Sequence, residues 1–248
     1  MGNALYKAYF RHILEIVARV EDEQSGPIES AALVIADAIQ SGRSVFAFGC
    51  SHAGILVEEL FYRAGGLAVI NPIFNPTLML NTRPVTMTSR MERLEGFGKE
   101  IVACSRVSSG DVLLIHSVSG RNPGAVDAAL AAKERGAYVV ALTNVTYSAR
   151  VSSRHSGGKK LYEIADLVLD NCGDFGDASV PVPGSEQKMA PTSTVIGALI
   201  LNAVVVHTVS ILAERGSPLP VFRSANVDGG DEENERIMER FKNQIHYL

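Results

Sequence analysis

Apolar positions recur at helical spacing near the start of the chain, at Leu5, Phe10, Ile13, Leu14, Val17 and Val20, which predicts an amphipathic helix over residues 4–23. A second helix is expected after Pro27, through Ala31, Val34, Ile35 and Ala38, ending at Ser41-Gly42. The pattern then changes to short, continuously apolar runs. Residues 45–48, 68–70, 112–116, 138–142 and 165–169 each read as a strand. Helical patterns follow the first at residues 53–64 and the third at residues 123–135, where Pro123 suits the first helical position.

Strands that are apolar throughout and alternate with helices predict a parallel sheet covered on both faces. The expected fold is therefore α/β: a doubly wound, about five-stranded parallel sheet flanked by helices, a three-layer sandwich with helical extensions at both ends. The expected organisation is one domain over residues 1–248, with its core at 41–215, N-terminal helices at 1–40 and a C-terminal arm at 216–248. Residues 71–96, 147–160 and 171–188 break the scheme and are read as loops. The acidic start and basic end of residues 229–248 predict a terminal helix that covers the site or a partner, or simply packs.

Composition narrows the function class. The 248 residues are 46% hydrophobic and 20% charged, with a formal net charge of -4, as expected of an ordinary globular protein. No Lys/Arg block offers a footprint for nucleic acid. Cys50, Cys104 and Cys172 lie far apart, which argues against a disulfide framework or a structural zinc site and fits a reducing, cytoplasmic setting. No metal-ligand spacing occurs, and no metal or cofactor is expected. The run from Val195 to Leu212 is interrupted by Asn202, His207, Thr208 and Ser210, and reads as a buried helix with no membrane partner.

Two strand-to-helix turns carry the candidate chemistry. The first is Gly49-Cys50-Ser51-His52, where helix N-terminal N–H groups and the Ser51 hydroxyl favour an anion. The second is Ser117-Val118-Ser119-Gly120-Arg121-Asn122, where two serines flank one residue and can converge on the same anion. Ligands of doubly wound sheets bind at the carboxyl ends of the strands, where both turns fall. Two hydroxyl-rich turns without a P-loop lysine point to a phosphate monoester held by neutral donors. The basic stretch with Arg154, His155, Lys159 and Lys160 either closes over a phosphate or is solvated.

The segment VLLIHSVSGRNPGAVDAALAAKERGAYVVALTN resembles the core of the sugar isomerase (SIS) domain family: a strand, Ser-x-Ser-Gly, a helix ending in Ala-Lys-x-x-Gly, and a strand ending in Thr. The first turn is similar to that of phosphoheptose isomerases, and Ala190-Pro191-Thr192-Ser193 resembles the Ala-Pro-Thr-Ser opening the last helix of arabinose-5-phosphate isomerases. The resemblance implies that Ser51, Ser117 and Ser119 hold the phosphate of a sugar, that Asn122 stands where many relatives have a threonine, and that Thr192 and Ser193 flank the sugar. It further implies an aldose–ketose isomerase with a carboxylate base. Glu186 is the first candidate, Glu59 the second, and His52 a helper. The alternatives are a phosphosugar sensor without catalysis, or an etherase on a phosphorylated amino sugar, which the Ser-Gly-Arg-x-Pro pattern at residues 119–123 resembles. A homodimer or homotetramer is expected on the same basis.

Overall fold

The computed structural model describes residues 5–248; residues 1–4, where the first predicted helix begins, lie outside it. Five strands, β1 (Val45–Gly49), β2 (Ile70–Pro72), β3 (Val112–His116), β4 (Tyr138–Thr143) and β5 (Leu167–Asp170), form one sheet in the order β2-β1-β3-β4-β5. Every pairing is parallel. Strand β3 is buried along its whole length, as sandwiching between helices requires.

One apolar layer, with Ile35, Val45, Ala47, Leu114 and Ile200, lies on one face under α1 (Leu5–Gln40) and α7 (Ser193–Glu214). The other, with Phe46, Phe48, Leu113, Ile115 and Ala128, lies under α4 (Phe97–Ala103) and α5 (Pro123–Glu134). This is the expected α/β sandwich, with helices added at both ends.

Several boundaries move, for physical reasons. The two predicted N-terminal helices are one, α1, with Pro27 inside it. Proline removes one helical hydrogen bond and disfavours the α conformation of its predecessor. Here that predecessor is Gly26, whose missing Cβ lessens the crowding. Burial of Ile16, Val20 and Gln24 before the proline, and of Ala31, Ala32 and Ile35 after it, anchors both halves to the same core. Gln24 Oε1 also accepts the Asp170 N–H (2.9 Å).

Strand β2 begins at Ile70, because the Ala68 N–H is taken by Pro220 O (2.7 Å). The helix after the first turn, α2 (Gly54–Leu60), is shorter than predicted, since Phe61 is extended and Tyr62 has φ 45°. Residues 71–96 hold a short helix, α3 (Thr86–Met91), and α6 (Val145–Ala149) follows β4. The expected 171–188 loop contains the first strand of an antiparallel hairpin, β6 (Ala178–Pro181) with β7 (Lys188–Pro191).

Helix α7 is the one described helix long and apolar enough to cross a membrane. It packs along α1 and α2, with Ile196, Ile200, Val204 and Leu212 buried. The C-terminal arm forms α8 (Gly230–Arg240), and the chain then runs along β2. Asn71 Nδ2 donates to Gln244 O (2.8 Å), and the His246 N–H donates to Asn71 Oδ1 (2.6 Å). The arm thereby covers the edge strand of the sheet, away from the two turns.

Candidate functional site

All five strands point the same way, so the turns that follow them share one edge of the sheet. Gly49, the last residue of β1, pairs with His116, the last of β3, and His116 pairs with Leu142 of β4. Neighbouring strands lie about 4.8 Å apart. The two serine turns therefore leave the sheet side by side, at the same level.

The first turn is tight. Ser51 has φ 58°, and a Cβ on Gly49 would lie 2.5 Å from the Ala53 carbonyl oxygen. The buried His116 ring places Nδ1 3.2 Å from that same oxygen. Burial drives the His116 pKa down to about 4, so the ring is neutral; Nδ1–H donates to Ala53 O. His116 is thus a strut between the turns, and its other nitrogen is buried without a partner among the described residues. His52, on the first turn, is exposed.

The second turn is held from below. Thr143 Oγ1 (3.0 Å) and the Asn144 N–H (2.9 Å) donate to Val118 O, while the Leu161 N–H donates to Gly120 O (2.9 Å). Gly120 has φ 58° and no room to spare, since a Cβ there would meet Leu161, Ser148 and Thr143 atoms at 3.3 Å. With these carbonyls turned inward, the N–H groups of Ser119, Gly120 and Arg121 have no backbone acceptor among the described residues. Ser117 and Ser119 are half-buried beside them. Unpaired N–H groups beside two hydroxyls are the kind of donor set that suits an anion.

Residues that the motifs did not single out complete the junction. The Gly124 N–H donates to Glu92 O (2.8 Å), and a Cβ on Gly124 would lie 3.3 Å from Cys50 Sγ. Glu92 is therefore pinned between the first turn and the start of α5. Burial pushes its carboxyl pKa up, and the nearby Arg93, Asn122 and Arg154 partly offset this. Arg154 Nη1 donates to Asn122 Oδ1 (2.9 Å), leaving the Asn122 amide N–H₂ for the carboxylate side. Cys50 is buried, and its pKa is raised by burial and then by the Glu92 charge, so it fills space as a neutral thiol.

A cleft enclosing about 580 Å³, open mouth included, runs from the first turn under residues 73–81. Ser51, Glu58, Asn75 and Asn81 supply its polar lining. Ser117 and Ser119 lie on the adjacent turn, outside that lining. Glu59 turns away: it pairs with Arg63, and Asn202 Nδ2 donates to it (3.2 Å). Glu186 stands on the exposed tip of the β6–β7 hairpin.

At the start of α7, Thr192 is fully buried with its hydroxyl unpartnered among the described residues. Ser193 Oγ donates to Asp177 Oδ2 (2.7 Å), whose other oxygen accepts the Thr192 (3.1 Å) and Ser193 (2.8 Å) N–H groups. The positive end of α7 thus already holds a carboxylate. The structure brings Ser51, Ser117, Ser119 and Asn122 to one edge, and leaves Glu59 and Glu186 away from the cleft. No local motif signals Glu92 or Asp177, because each becomes a partner only through contacts with distant residues.

Comparison with known proteins agrees with this architecture. The chain is 53% identical over 240 residues to a UPF0309 protein of Shouchella clausii, covering 97% of this chain and 98% of that one. It is 49% identical over 242 residues to a UPF0309 protein of Oceanobacillus iheyensis, covering 98% of each. Among solved structures, the phosphoheptose isomerase of Francisella tularensis superposes with a TM-score of 0.54 at 17% identity, covering 82% of this chain and 95% of that one. The phosphoheptose isomerase GmhA of Neisseria gonorrhoeae gives 0.51 at 19% identity, covering 84% and 97%. At such identities the likeness is one of fold. The SIS domain model matches residues 8–144, which include both serine turns and the strands that carry them. The chain belongs to the SIS domain family.

Proposed function

We propose that this protein binds a phosphorylated sugar and interconverts its aldose and ketose forms. The observation that carries the reading is the pairing of Gly49 with His116, which sets two hydroxyl-bearing turns side by side. Ser51, Ser117 and Ser119 take the phosphate oxygens, the Ser119–Arg121 N–H groups add donors, and Asn122 follows them on the second turn. Phosphate held this way fixes one end of the substrate, so that its reacting carbons meet the same protein groups at each encounter. Thr192 and Ser193, buried at the start of α7, would reach the sugar only if the Asp177 carboxylate released them. The fold shared with phosphoheptose isomerases supports the assignment.

An isomerase of this type needs a carboxylate that removes a proton from the carbon beside a carbonyl and returns it to the neighbouring carbon. Glu58 is the proposed base, because it lines the cleft that Ser51 opens. Glu59 would have to break its Arg63 pair to act, and Glu186 would require the hairpin tip to fold over the site. His52 is available as the helper that opens the sugar ring.

The test is incubation of the protein with C5–C7 aldose phosphates in D₂O, followed by NMR. Deuterium at carbon 2 together with ketose product is expected, with at least 100-fold loss in Glu58→Gln and weakened binding in Ser119→Ala. Binding without exchange or product would leave a phosphosugar sensor. Full turnover in Glu58→Gln, with loss in Glu186→Gln or Glu59→Gln, would move the base to that residue.

We also propose a homo-oligomer, assembled through α1 and α7. Tyr9 Oη donates to Pro191 O (2.9 Å) at one end, and Arg215 reaches Asp37 (2.7 Å) at the other, so α1 and α7 run parallel. Phe10 and Leu14 near the start of α1, and Val195 and Leu199 near the start of α7, are exposed apolar residues proposed to meet a second copy.

A further inference from the structure

The serine turns supply a phosphate with neutral donors, yet guanidinium groups crowd the outer side of the second turn. Arg154, on the segment between α6 and β5, donates through Nη1 to Asn122 Oδ1 (2.9 Å) and through its backbone N–H to Arg121 O (2.9 Å). Arg121 Nη2 donates to Ser152 Oγ (3.2 Å), while its Nε is buried without a partner among the described residues. Arg93 completes the group. Partial burial lowers the Arg154 pKa, and the Arg121 and Arg93 charges lower it further. Glu92 is the carboxylate that faces Arg154, and burial disfavours its own charged form.

The charge is more than a monoester uses. A phosphate monoester carries about -1.5 to -2 at neutral pH, and the N-terminus of α5 already offers about half a positive charge. Three guanidiniums against one reluctant carboxylate leave a cationic surplus of about two. Forked guanidinium donors match carboxylate and phosphate oxygens in pairs, and these are attached directly to the turn at Arg121 and Asn122.

We propose that the sugar phosphate taken by this site carries a second anionic group, bound by Arg121 and Arg154. The inference rests on the phosphosugar reading and narrows it to acidic or doubly phosphorylated sugars. The second group is a carboxylate or a further phosphate, which present the same oxygen chemistry to a guanidinium.

Two matched pairs of probes test it by calorimetry on the full chain. Sorbitol 6-phosphate and 6-phosphogluconate differ at carbon 1, an alcohol against a carboxylate. Fructose 6-phosphate and fructose 1,6-bisphosphate differ by one phosphate. In at least one pair the more acidic member is expected to bind tenfold or more tightly, equivalent to about 1.4 kcal/mol. Arg154→Met and Arg121→Met should each reduce that ratio below threefold. Raising the salt concentration should shrink the wild-type ratio, a readout that does not depend on how the variants fold. Equal affinity within both pairs for the wild-type protein overturns the proposal and leaves the phosphosugar reading standing. A preference that survives in both folded variants also overturns it. If none of the four probes nor inorganic phosphate binds, the phosphosugar reading falls and this inference with it.

Discussion

Replacing Gly49 by alanine should damage the candidate site and the stability of the protein together. The new Cβ would lie 2.5 Å from the Ala53 carbonyl oxygen and 2.7 Å from its carbon. Non-bonded heavy atoms rest near 3.5 Å, so the two must separate by roughly 1 Å. Both clashing atoms are backbone, and no rotamer change relieves them. Gly49 is not among the positive-φ residues, so what the position demands is space and not an unusual conformation. Overpacking of this kind costs about 1–3 kcal/mol. Moving the Ala53 carbonyl also breaks its bond to His116 (3.2 Å), leaving a buried imidazole nitrogen unpaired at about 1–3 kcal/mol more. A total of about 2–6 kcal/mol is a large share of the 5–15 kcal/mol typical of a folded protein. Urea unfolding should show a midpoint lowered by on the order of 1 M. Calorimetry on the fraction that remains folded should show weakened phosphosugar binding, because Ser51 sits on the displaced turn. Gly26→Ala provides the contrast: it lies in α1 with nothing within 4 Å of its would-be Cβ. The helix-propensity gain of about 0.5–1 kcal/mol is set against the crowding that its new Cβ restores with Pro27, so stability should change by less than about 1 kcal/mol and binding not at all. If Gly49→Ala unfolds within 0.5 kcal/mol of wild type and binds equally well, the first turn is not held as described.

Two further predictions follow from the buried polar groups. With the His116 pKa held near 4 in the folded protein and near 6.5 unfolded, the unfolded chain takes up the proton first as the pH falls. Stability on this account is full above pH 6.5 and is lost progressively toward pH 4, by about 2 kcal/mol at pH 5. Urea unfolding of wild type and His116→Gln at pH 7 and pH 5 should therefore give a stability difference that changes with pH, and parallel pH dependence would contradict the neutral strut. Asp177→Ala removes the acceptor of the Thr192 and Ser193 N–H groups and places alanine at φ 71°, for a loss of about 2 kcal/mol. Asp177→Asn keeps an acceptor oxygen and tolerates that backbone, so it should recover at least half; equal losses in the two variants would show that Asp177 does not cap α7.

What was legible in the sequence was local. Five apolar runs ending at small or polar residues mark parallel strands, because a strand covered on both faces has no polar face to alternate with. The Ser-x-Ser-Gly turn and Pro123 announce a strand-to-helix junction from neighbouring residues alone, and β3, β4 and α5 begin where the pattern placed them. Where long-range contacts outweighed local signals, the reading failed. Pro27 does not end α1, because the core grips the helix on both sides. The first strand of the β6–β7 hairpin lies in a stretch of Asp, Gly and Pro that reads as a loop, and its pairing partner lies beyond a turn.

The candidate chemistry divides along the same line. Phosphate-binding turns can be read from sequence because their donors are backbone N–H groups and adjacent hydroxyls. Charge environment cannot, because it depends on which side chains distant segments bring together. Glu58 and Glu59 are adjacent in sequence, yet one lines the cleft and the other faces Arg63 and Asn202. Glu92 meets Asn122 and Arg154 across 30 and 62 positions of chain, and His116 meets Ala53 across 63. The sequence by itself determined that two serine turns would leave one edge of a parallel sheet. Tertiary packing decided which carboxylates and guanidiniums surround them, since electrostatic interaction depends on separation in space and on burial.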